Sequence, residues 1–118
     1  MSVLIDYSSG AFEANQAQGV GTITGSTVDI SSGTYFNYTP TANTTFTFSN
    51  APASGTAAGF ALAVTPSATV TLTYPASVEW PSGTAPDAPA SGETDVLVFL
   101  TDDGGTSYQG FQAGDAMS

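Results

Sequence analysis

The chain is 118 residues long, one domain's worth, with 41% hydrophobic residues, ten acids and no Lys, Arg or His, for a formal charge of −10. Nucleic acid and anionic membranes are excluded as partners, because Lys and Arg supply the contacts that hold phosphates and acidic headgroups. The absence of Cys, His and Lys also removes disulfides, thiolate metal sites, Ser-His-Asp and Cys-His machinery and Schiff-base chemistry, so no enzyme, cofactor or metal centre is expected.

Residues 1–33 are Gly/Ser-rich and weakly patterned. They read either as an arm reaching a neighbouring subunit or as first strands leading into a β core at 34–118. The start, MSVLIDYSSG, lacks the basic opening of a signal peptide, and no run approaches the ~18 apolar residues of a membrane helix. A soluble protein made and assembled in a cytoplasm is the expectation. Residues 11–18 are the only helix-forming stretch. Extended runs are expected at 3–7, 20–24, 27–30, 34–39, 44–49, 59–65, 69–74, 94–101 and 107–112. Their spacing of about 8–12 residues predicts an all-β, antiparallel sandwich or jelly-roll-like barrel.

Alternation assigns faces within these runs. Phe46 and Phe48 point inward, as do Phe60, Leu62 and Val64, and then Val70, Leu72 and Tyr74, with Thr or Ala opposite. DVLVFLT, apolar on both faces, reads as a central strand covered on both sides. DDGGT at 102–106 predicts a hairpin, with Gly104 and Gly105 supplying positive φ. PTAN at 40–43 and TPSAT at 65–69 predict two further hairpin-like turns. The stretch 75–92 holds four of the seven prolines and predicts a long, strandless crossing.

Three pieces in order, NTTFTFSNAPASGTAAGFAL at 43–62, TYPASVEWPSGTAP at 73–86 and TDVLVFLTDDGGTSYQGFQAGDAMS at 94–118, resemble a recurrent segment of tailed-phage virion proteins. The shared pattern is a Trp80-Pro81 loop running through Gly83, Thr84, Ala85 and Pro86, then Asp95-Val96, a hairpin at Asp103-Gly104-Gly105-Thr106, and Gly110-Phe111. The resemblance implies a β module of head decoration (cement) proteins or of tail-fibre ends. It carries with it a location on the outer head surface, the major capsid protein as partner, and self-association, with a trimer favoured. The chain's shortness favours decoration over a stalked fibre. Asp115 stands where the family usually has Lys, and Tyr108-Gln109 where it often has Trp-Tyr.

Candidate interface residues are Trp80, Pro81, Pro86, Asp87 and Tyr108. Trp80 either stacks on a sugar ring, as in a carbohydrate-binding or tail-tip module recognising host glycans, or caps the core beneath the crossing. Tyr35, Tyr38, Tyr74 and Tyr108 admit the same pair of readings. Glu79, Asp87, Glu93 and Asp95 form an acidic patch for a cation or a capsid arginine if the crossing folds back.

Overall fold

A computed structural model describes residues 19–118. The run at 3–7 and the helical stretch at 11–18 lie outside the described residues. The described chain is all-β, with ten strands and a single 3-10 turn at Pro81–Gly83. The strands are β1 (Ile23–Thr24), β2 (Thr27–Asp29), β3 (Tyr35–Tyr38), β4 (Thr44–Thr45), β5 (Thr47–Ser49), β6 (Ala58–Val64), β7 (Leu72–Thr73), β8 (Val78–Glu79), β9 (Thr94–Thr101) and β10 (Tyr108–Met117). Among these residues no helix is long and apolar enough to cross a membrane.

The main sheet runs β3-β6-β9-β10-β8, faced by the three-stranded sheet β1-β2-β5 and the short pair β4-β7. Its middle is antiparallel, β6 to β9 and β9 to β10, the arrangement the alternating sequence predicts. Its two edges are parallel, β3 to β6 and β8 to β10. A parallel pair needs a crossover of a dozen or more residues. Between β3 and β6 that crossover is made of strands rather than a helix, because β4 and β5 are laid into the other sheets on the way.

This routing overturns two of the expected hairpins. The 40–43 segment does not fold β3 against β4, nor does 65–69 fold β6 against β7. Each hands the chain from one sheet to another, and the two loops pair side by side: Thr65 N donates to Tyr38 O at 2.9 Å and Ser67 N to Pro40 O at 3.0 Å. The reason lies in Pro40 and Pro66, both fully buried. Neither ring has an N–H to close a ladder, and each fixes φ. The turn at 102–106 is a hairpin as expected, with Gly104 and Gly105 at φ 74° and 82°. The crossing at 75–92 is not strandless, since Val78 and Glu79 pair with Tyr108 and Gln109. The run at 20–24 shortens to Ile23–Thr24, and 44–49 breaks into two strands at Phe46.

One core lies between the sheets. Phe36, Phe46, Leu62, Val64, Leu97 and Phe99 are fully buried, and Val28 and Ile30 join them. The described part of 1–33 therefore contributes to the same core as 34–118. Phe48, Phe60, Phe99 and Tyr108 form a ring cluster, with Phe48 and Phe60 edge to face at 5.0 Å and Phe60 stacked on Phe99 at 5.2 Å. Each such side chain taken from water contributes roughly 1.5–3 kcal/mol, with a further 0.5–1.5 kcal/mol or so per ring pair. β9 is central in order but covered on one side only. Leu97 and Phe99 face the core, whereas Val96 and Val98 are half-buried and Leu100 is exposed on the opposite face.

Candidate functional site

The short β8 sets up the site. Its pairing to β10 aims Val78 inward and Glu79 outward, so Trp80 turns inward again. The indole meets Tyr74 edge to face at 5.2 Å and Phe99 at 5.7 Å. Pro81 starts a tight turn in which Gly83 N donates to Trp80 O at 2.9 Å. Ser82 and Gly83 both take left-handed φ, 57° and 71°. For Ser82 that conformation costs on the order of 1–2 kcal/mol.

The turn brings residues 84–87 beside β10. Trp80, Pro81, Thr84, Ala85, Pro86 and Asp87 line one wall of an open groove of about 430 Å³, and Phe111 and Gln112 line the other. Four of the five candidate interface residues, Trp80, Pro81, Pro86 and Asp87, thus converge. Tyr108 does not join them. It is 4% exposed, packs against Phe48 at 5.1 Å, and burial raises its phenol above the usual value. The alternation of β10 explains the difference, since Tyr108 and Gly110 face the core while Gln109 and Phe111 face out.

Asp95 supports the groove from beneath. It is 2% exposed, accepting Gln112 Nε2 at 2.8 Å on Oδ2 and Ala116 N at 2.9 Å on Oδ1. Burial holds its carboxyl above the usual 3.8, and nearby Asp115 and Glu93 push the same way. These bonds span the part of β10 where the register shifts between Gln112 and Gly114 and again before Met117. Bulges leave ladder groups unpaired, and Asp95 supplies Ala116 with an acceptor.

The acidic patch foreseen around the crossing does not assemble. Glu79 accepts Gln109 Nε2 at 3.0 Å on the outer face while Asp95 is buried, and among the described residues no three carboxylates converge as a cation site. Asp103 instead closes its own turn, accepting Ser107 N at 3.0 Å, Ser107 Oγ at 2.7 Å and Thr101 Oγ1 at 3.0 Å. The groove offers an aromatic edge, proline rings, the Thr84 hydroxyl, the Gln112 amide and the exposed Asp87 carboxylate. That set suits surface recognition through apolar contact and hydrogen bonds. Phe111 and Gln112 were not singled out as groove residues from the sequence. The signal was the alternation of β10, which turns Phe111 outward. No family model matches the chain, and no curated protein or solved structure is significantly similar to it.

Proposed function

We propose that the chain is a structural protein of a tailed-phage particle, a head decoration protein that binds the outer capsid and stabilises the shell. The observation that carries this reading is the convergence of two distant sequence pieces. The Trp80–Pro86 loop lines one wall of an open groove and Phe111 part of the other, and both belong to the resemblance to phage virion proteins. A pattern shared across both walls is what a docking surface requires, and the groove is shallow and open as an attachment surface must be. A protein that binds the assembled shell in preference to its parts stabilises it by mass action. Asp87, the groove's acid, suits a basic capsid residue.

The test is binding of the purified chain to capsid shells lacking it, with Thr84→Arg placed across the groove. Loss of binding in a variant that melts like the parent supports the reading. Labelling of virions confined to tail tips overturns it. A second reading, a glycan-recognising tail-tip module, is favoured by Phe111, 39% exposed opposite Trp80 and Asp87. Retention of the chain on host-surface polysaccharide, but not on shells, selects it.

A further inference from the structure

The main sheet has an outer face, turned away from the core, that the described chain leaves open. One row crosses four strands in register: Tyr35 beside Ala61, Ala61 beside Val98, Val98 beside Phe111. Tyr35 is 44% exposed and Phe111 39%, and in the neighbouring row Leu100 is 45% exposed. Leu100 lies flat over Gly59, where an added Cβ would stand 2.8 Å from Leu100 Cδ2. The result is a low floor of Ala61 and Val98 between two aromatic rims.

Charge says what can cover it. The chain has ten acids and no basic side chain, so a contact between copies that centres on the acids would appose like charges. The Tyr35–Phe111 row carries none, whereas the Leu100 row ends on the edge strand in Glu79, in register beyond Gln109, and Asp87 shares a groove with Phe111. Glu79 and Asp102 stand at one end, beyond Leu100, where solvent reaches them. A face with an uncharged centre is where identical acidic chains can meet without burying like charges. The row order also fits itself. A two-fold axis parallel to the strands sets Tyr35 over the partner's Phe111 and Ala61 over the partner's Val98, an isologous arrangement.

We infer that this face docks a second copy of the same chain, sheet against sheet, in a two-fold pair. The pairing needs no capsid, but it covers Phe111, which also lines the groove of the proposed function. It also differs in symmetry from the trimer that the family resemblance implies.

Sedimentation velocity on the full chain tests it, over a concentration series at low and high salt. The expected result is a reversible dimer that tightens as salt screens the carboxylates at the ends of the face. Val98→Glu is expected to give a monomer, and Leu100→Ser to raise the dissociation constant on the order of tenfold. Ser91→Glu, an exposed loop change of equal charge, is expected to leave the dimer intact. Should Val98→Glu fail to melt cooperatively, Leu100→Ser carries the test alone. A monomer under all conditions, a trimer, or a dimer indifferent to both face variants overturns the inference. Val98 and Leu100 do not line the Trp80 groove, so loss of shell binding with dimerisation intact bears on the proposed function alone.

Discussion

Trp80 and Phe99 meet edge to face, their ring centroids 5.7 Å apart and their planes at 73°. Through this contact the proline-rich crossing is pinned to the central strand of the main sheet. Phe99 also stacks on Phe60 and meets Phe48 at 4.9 Å, so it joins the groove to the middle of the core.

Phe99→Ala is therefore expected to cost about 3–5 kcal/mol, as for a large aromatic truncated in a packed interior. Trp80→Ala, at a half-buried site, is expected to cost about 2 kcal/mol. Urea denaturation gives both values, and equal costs would contradict this placement. Trp80 is the sole tryptophan, so its emission should shift to the red when Phe99 is truncated.

Gly110 faces the core, and a Cβ there would stand 2.7 Å from Val78 Cγ1 and 3.1 Å from the Phe99 ring. Gly110→Ala should destabilise by about 1–3 kcal/mol through overpacking. Because the nearest atom is a Val78 methyl, Gly110→Ala combined with Val78→Ala should cost less than the sum of the two. Strict additivity in a double-mutant cycle would show that β8 is not where its pairing to Tyr108 puts it.

Acid is expected to act in two phases. Asp95 is held above 3.8 by burial, so the folded state binds its proton first, and stability rises as pH falls from neutral towards about pH 4. Asp29 is held below 3.8 by the Ser31 hydroxyl and the Asn50 amide, and Asp103 by the Ser107 amide and hydroxyl. Their contribution is present above the unfolded value and is lost as pH falls through the lower folded values. Thermal melts from pH 7 to 3 should pass through a maximum. Asp95→Asn should flatten the rise, and Asp103→Asn the fall.

Salt separates the roles of the charge. With ten acids and no opposing side chain, the folded chain repels itself, and screening over about 8 Å at physiological ionic strength relieves this. The melting temperature should climb with salt. Binding to shells should weaken over the same range if Asp87 pairs with a basic capsid residue. Binding insensitive to salt would assign that contact to the proline and aromatic walls of the groove.

Face assignment was legible in the sequence because alternation is local. Phe60, Leu62 and Val64 all face the core as their spacing predicts, and the Gly104-Gly105 hairpin follows from turn chemistry. Strand partners were not legible, because they depend on which loops find each other. The pairing of the 38–40 and 65–67 segments leaves no trace in either. Nor does the open back of β9, whose apolar Val96, Val98 and Leu100 look the same whether covered or bare. Within the site, Trp80, Pro81, Pro86 and Asp87 were found as one contiguous motif. Tyr108 was misplaced because its neighbours, not its own chemistry, put it inside.

The parallel edges of the main sheet set the order in which the domain can form. Among the described strands only β1 with β2 and β9 with β10 pair across short turns. Every other ladder closes a longer stretch of chain before its first hydrogen bond, an entropic cost that slows folding. β6 finds its antiparallel partner only in β9, so on a ribosome the second edge of β6 waits until Thr101 has emerged. Until then Phe60, Leu62 and Val64 have β3 alongside and Phe48 across the core, but lack Leu97 and Phe99. A nascent chain halted before residue 94 therefore leaves one edge of β6 unpaired and Phe60 without the Phe99 ring that stacks on it.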